Sequence, residues 1–181
     1  MRKEIRYIHA IALVIVSLIF LGVRSLPVMK NTFAKDQFVY VERVVDGDTL
    51  KLSGGERVRL IGVDTPEVYY SEKLIRDAAR TGKDIKSIQA LGRKASEFTK
   101  RLCSGRRIRL EFDVEKRDRY KRLLAYVYLE DGTFVNARIL EEGFGQVMTI
   151  PPNVKYAEYF LKLQQEARNN HKGLWGEKDG F

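Results

Sequence analysis

A single cysteine, Cys103, stands in 181 residues, so no internal disulfide can form. It precedes Ser104-Gly105 at an expected helix end, where it reads as packing and not as a nucleophile. Histidine is almost as scarce, with His9 in a hydrophobic leader and His171 near the C-terminus. That scarcity argues against a Ser-His-Asp triad, a zinc hydrolase or a histidine-based nuclease. Internal repeats and low-complexity tracts are absent. Acidic residues are outnumbered 24 to 33, giving a net charge of +9 and a pI near 9.6. Such a balance favours an anionic partner, nucleic acid or an acidic membrane surface, with a merely soluble basic surface as the plain alternative.

The length suits one ordinary domain and an appendage. Arg2, Lys3 and Arg6 precede an apolar run from Tyr7 to Val23, interrupted mainly by His9 and Ser17. As a helix that run spans about 25 Å, slightly short of a hydrocarbon core of about 30 Å. Its length falls between a signal peptide and a membrane anchor, and the missing Ala-x-Ala site favours an uncleaved anchor. Residues 1–25 are therefore expected to form a signal peptide or signal anchor, and 26–37 a linker. Residues 38–176 form the expected domain and 177–181 a tail. Either kind of leader places the domain outside the cytoplasm, membrane-anchored if the leader stays and secreted if it is cleaved.

Acidic chemistry concentrates in Asp46-Gly47-Asp48-Thr49 and in Arg59 to Glu67. Asp-Gly is the favoured centre of a two-residue hairpin turn, where both residues take positive φ. Thr65-Pro66 ends the following strand. Asp48, Asp64 and Glu67 thus emerge at strand ends, on loops held by a sheet. Hard oxygen ligands gathered this way suit calcium or magnesium better than zinc. Alone, Asp-Gly is usually only a turn and Thr-Pro-Glu only a loop or helix start, so the weight lies in the combination.

The strands expected along the chain are Phe38 to Val45, Thr49 to Leu52, Arg57 to Val63, Arg107 to Phe112 and Leu123 to Leu129. Alternation in the third puts Arg59 on one face with Ile61 and Val63, an unusual setting for a solvated arginine. Arg122 similarly shares a face with Leu124, Tyr126 and Tyr128. Between the strands, Glu67 to Lys86 is polar and charged and reads as a surface excursion, partly helical. Helical spacing joins Ile88, Leu91, Ala95, Phe98 and Leu102, then returns over Asn136–Glu142 and Tyr156–Arg168. Leu174-Trp175 is expected to pin the tail to the body. A sheet this small must close to hide its edges. The expected fold class is α+β, mainly β: a five-stranded Greek-key barrel of the OB type with about three helices, behind an N-terminal hydrophobic helix.

With Asp46-Gly47-Asp48-Thr49, Arg59 through Glu67, Asp118-Arg119-Tyr120-Lys121-Arg122 and His171 through Trp175 in this order, the chain resembles the staphylococcal nuclease (thermonuclease) family from about Phe38 to Gly176. The resemblance implies an OB-fold enzyme that binds Ca2+ and hydrolyses DNA and RNA phosphodiesters, here as a monomer. It implies Asp48, Asp64 and the Thr65 carbonyl as metal ligands, and Glu67 as the residue that positions or deprotonates the attacking water. Arg59 and Arg122 correspond to a clamp on the scissile phosphate, and Arg119, Tyr120 and Lys121 to substrate contacts. Asp46 matches an acidic position of lesser role near the metal. Three departures stand out: an insertion between Glu67 and about Gly92, Lys121 where glycine is usual, and Thr149 in place of a substrate-stacking tyrosine.

The chemistry agrees with the resemblance, since a cation and two guanidiniums oppose the charge that builds on a phosphodiester during attack. One alternative is a non-catalytic nucleic-acid-binding module on the same barrel. Arg59, Asp64, Glu67 and Arg122 would have little reason to occur together in a binder. Another is a surface protein binding acidic envelope polymers, which predicts salt-sensitive binding without metal dependence.

Overall fold

Short runs rich in β-branched and other apolar residues build the strands of the computed structural model, which describes residues 37–176. The leader, nearly all of the linker and the tail lie outside the described residues. Among the described residues no helix is long and apolar enough to cross a membrane.

Strands β1 (Phe38–Asp46), β2 (Thr49–Leu52) and β3 (Arg57–Leu60) form an antiparallel meander. Strand β3 then pairs in parallel with β6 (Leu123–Leu129), β6 pairs with β5 (Arg107–Glu111), and β5 returns to β1. The result is a closed barrel in the order β1-β2-β3-β6-β5, which leaves no sheet edge exposed. Its interior is filled by side chains such as Val41, Leu50, Val58, Leu60, Ile108 and Val127. Cys103 joins this core and burial pushes its thiol up to about 12, which agrees with a packing role.

The first turn differs from the expectation. Asp46 pairs with Thr49, so the turn centres on Gly47-Asp48, and neither residue takes positive φ. Glycine is needed at 47 for a different reason, because a Cβ there would lie 2.7 Å from Thr65 Oγ1. That close approach brings Asp48 to the start of the Thr65-Pro66 loop.

The third strand is also not continuous. It stops at Leu60, and Gly62, with φ of 78°, swings the chain into a separate strand, β4 (Gly62–Asp64). Strand β4 leaves the barrel and pairs with β7 (Gln146–Met148). A Cβ at Gly62 would meet the Phe160 ring at 2.6 Å, so glycine serves both the φ and the contact. Because of this break Ile61 falls between the strands and Val63 on β4, both buried, while Arg59 stays on β3. Its guanidinium is instead tied to the backbone, donating from Nη1 to the Val63 carbonyl.

Among the described residues four α-helices accompany the barrel, where about three were expected. The additional one is α1 (Glu72–Thr81), inside the segment read as a surface excursion. Ser71 caps it by accepting from Leu74 N at 3.1 Å, and Gly82 closes it in the left-handed region at φ 71°. Helix α2 (Ile85–Cys103) buries Ile88, Leu91, Gly92, Ala95 and Thr99. A Cβ at Gly92 would lie 2.6 Å from the Glu67 carbonyl oxygen, so this helix fixes the Pro66-Glu67 backbone by direct contact. Thr99 Oγ1 donates to the Gly47 carbonyl at 2.7 Å, tying the same helix to the first turn. Helix α3 (Val135–Glu141) carries the fully buried Asn136, whose amide joins Val127 N to the Ile61 carbonyl. Helix α4 (Ala157–Asn169) packs Phe160, Leu163 and Ala167 inward. A final 3-10 turn, Gly173–Gly176, buries Leu174, as expected of the tail's anchor.

Candidate active site

Where β3 breaks, the end of β1 and the turn after it, β3, β4 and the loop before β6 converge on a cleft of about 820 Å³. Its lining includes Asp46, Asp48, Arg59, Asp64, Glu67 and Arg122, all singled out from sequence. Arg119 and Tyr120 line it as well. Lys121 is exposed and outside the lining, while Thr65 borders a smaller neighbouring pocket.

Asp48 is the most enclosed of the acids, with 8% of its side chain exposed. Its Oδ2 accepts from Thr65 N at 2.9 Å and Thr65 Oγ1 at 3.0 Å, and its Oδ1 from Thr49 Oγ1 at 3.1 Å. Arg59 spans two acids, with Nη1 3.1 Å from Asp48 Oδ2 and Nη2 2.9 Å from Asp64 Oδ1. Burial opposes ionisation of Asp48, but Arg59, Asp46, Lys73 and the Thr65 N–H outweigh it and lower its pKa. The neighbouring Asp46 goes the other way: burial and the charge of Asp48 raise it to about 7. Asp64 also lies above its ordinary value, because burial outweighs the help of Lys73 and Arg59.

Lys73, in the first turn of α1, is a site residue that sequence reasoning missed. Its Nζ donates to the Thr65 carbonyl at 2.8 Å and lies 3.0 Å from Glu67 Oε1 and 3.2 Å from Asp64 Oδ1. Burial works against its charge, yet Asp64 and Glu67 prevail and its pKa is raised. The available signal was the Ser71 cap and the Gly82 stop, which mark a helix and so a fixed place for Lys73.

On the opposite wall Asp118 organises Arg122. Its Oδ1 accepts from Tyr120 N at 2.9 Å and Arg122 N at 3.0 Å, and its Oδ2 from Arg122 Nε at 2.7 Å. These contacts orient the guanidinium, which also lies over the Tyr120 ring at 5.4 Å. Arg119 reaches the same ring at 4.8 Å and donates to its hydroxyl at 2.7 Å. Lys121 adopts φ of 64°, so it bears the left-handed conformation that glycine takes freely. Around Thr149 the cleft rim is apolar, formed by the exposed Met148 and Ile150. Asn153 fastens this segment to the other wall, bonding Glu115 N and Glu115 O at 2.8 Å each.

Four carboxylates (Asp46, Asp48, Asp64 and Glu67) thus face two cations, Arg59 and Lys73. Burial first, and the neighbouring charge of Asp48 second, hold Asp46 high. Hard oxygens in such excess suit a hard divalent cation, and the Thr65 carbonyl adds a neutral ligand of the same type. Among the described residues, no three carboxylates converge on one point as they stand. Arg59 lies between Asp48 and Asp64, and Lys73 lies between Asp64 and Glu67.

Comparison with known proteins identifies the family. Residues 57–177 match the family described as staphylococcal nuclease homologue. The chain is 37% identical over 180 residues to a thermonuclease of Staphylococcus intermedius, covering 97% of this chain and 99% of that protein. It is 37% identical over 145 residues to a thermonuclease of Staphylococcus hyicus, covering 78% of each. The SPbeta prophage-derived endonuclease YokF of Bacillus subtilis (strain 168) is 37% identical over 148 residues, 79% of this chain and 45% of that protein.

Proposed function

The chain belongs to the staphylococcal nuclease family and is a hydrolase of nuclease type, and from that premise we propose that it uses calcium to cleave DNA and RNA phosphodiesters by attack of water. The observation that carries this reading is the convergence of Asp48, Asp64, Glu67, Arg59 and Arg122 on one cleft.

Each residue then has a role. Asp48, Asp64 and the Thr65 carbonyl hold the cation, with Asp46 adjusting the local charge from beside Asp48. A bound calcium supplies Lewis-acid charge to the phosphate oxygens and to the approach of water. Arg122, oriented by Asp118, offers a planar fork to the phosphate, and Arg59 offers a second from across the cleft. Glu67 receives a proton from, or orients, the attacking water, its backbone kept in place by the contact with Gly92. Arg119 and Tyr120 meet the nucleotide at the rim, and Lys121 adds charge on the approach. We propose that the protein acts as a monomer.

The expected result with purified protein is release of acid-soluble nucleotides from both DNA and RNA in calcium, and loss of that release in chelator. Undiminished hydrolysis in chelator would sink the metal mechanism. For the leader, we propose that residues 7–23 deliver the domain outside the cytoplasm as an anchor. The protein is then expected to sediment with membranes and resist alkaline extraction. A soluble form beginning after about residue 25 would identify a cleaved signal instead.

A further inference from the structure

Helix α1 places Lys73 with more precision than a surface lysine ordinarily has. Its neighbour Leu74 is fully buried and locks the first turn against the body, and Ser71 caps that turn. The ammonium has three N–H donors, and three acceptors lie within 3.2 Å: the Thr65 carbonyl, Glu67 Oε1 and Asp64 Oδ1. Asp77, one turn along the helix, stands behind at 3.8 Å. A backbone carbonyl with carboxylates around it is the ligand chemistry of a hard metal ion, here directed at an ammonium.

Two of those acceptors, Asp64 and the Thr65 carbonyl, are the ones assigned above to calcium. A calcium ion needs its oxygens at about 2.3–2.6 Å and carries the same sign of charge as the ammonium. With Lys73 in place its ammonium engages the Thr65 carbonyl and Asp64 Oδ1, and a divalent cation entering on that side meets a like charge at close range. We propose that Lys73 is an internal competitor for the metal: its ammonium occupies the Asp64–Thr65 side of the site, and a divalent cation binds only as Lys73 withdraws. The segment between Glu67 and Gly92 thereby sets the metal affinity of the enzyme. The inference rests on the metal-dependent reading of the cleft and adds a residue that lies outside the sequence motifs.

The experiment is calorimetric titration of the full protein with calcium alone, without substrate. Lys73→Met and Lys73→Gln are compared with Arg76→Met, which removes the same charge one turn along α1 from a side chain 68% exposed. Removing a cation this close to the ligands is expected to tighten calcium binding by about tenfold or more in both Lys73 variants, and by less than about threefold in Arg76→Met. In chelator the Lys73 variants are expected to melt lower than wild type, because Glu67 and Asp64 lose the Lys73 contact and only Asp64 keeps Arg59, and calcium is expected to raise their melting temperature more. Binding by Lys73→Met alone, with none by wild type, supports the same conclusion. Equal or weaker affinity in the Lys73 variants overturns competition while leaving the metal reading intact. An equal gain in Arg76→Met assigns the effect to the general field and also overturns it. Absence of calcium binding in every variant removes the metal reading and this inference together.

Discussion

Arg122→Lys is expected to lower turnover by about 100-fold or more, the scale of deleting one donor aimed at a developing charge. Lysine keeps the charge and loses the fork. The Asp118 contact at Arg122 Nε also depends on the guanidinium shape, so the replacement loses its orientation as well. Arg59→Lys is expected to fall at least as far, since it also gives up the bridge from Asp48 to Asp64 and the bond to the Val63 carbonyl. Substrate affinity should weaken less than turnover at Arg122, because the interaction is strongest in the transition state. Two outward arginines of β5 serve as controls. Arg107 pairs with Glu130 at 3.0 Å, and Arg109 lies over the Tyr128 ring at 4.6 Å. Their lysine variants should keep turnover within about twofold, since neither touches the cleft where a lost transition-state donor is felt. Equal, mild effects at all four positions in steady-state cleavage of DNA would contradict the phosphate clamp.

Glu67→Gln is expected to cost about 10²- to 10⁴-fold in the cleavage step, the range for losing a positioned general base. Glutamine has nearly the same shape and can still accept from Lys73, so folding and the α1 contact should survive. What it loses is the capacity to take a proton. Single-turnover cleavage isolates this step from product release, and a thermal melt checks the fold. A glutamine variant retaining more than about a tenth of the wild-type rate would mean that Glu67 serves only as a partner for Lys73.

The barrel was legible from its strands. Ile108 and Leu110 in β5 follow period two and reveal its faces, while β1 and β6 show as short runs rich in β-branched and aromatic residues. The long apolar stripe of α2 was equally plain. The break at Gly62 was not. Alternation simply continues through Ile61 and Val63, and the need for a turn comes from Phe160, a residue distant in sequence. Helix α1 was legible only as a partly helical excursion without bounds, since Leu74 is its one buried residue. The residues that line the cleft were legible as motifs, because their types stand in the order that the family resemblance rests on. Lys73 belongs to no motif. Its position follows from how α1 docks, a tertiary fact that local spacing does not encode.

Diffraction from crystals grown with calcium and a nucleoside phosphate tests the central claim most directly. The expected cation lies against the Asp48 and Asp64 carboxylates and the Thr65 carbonyl at about 2.3–2.6 Å. Phosphate oxygens are expected on the guanidiniums of Arg59 and Arg122, with Glu67 facing the phosphorus across a water. A cation bound elsewhere, or a phosphate seated on the Arg106–Arg107 face with the cleft unchanged, would contradict it.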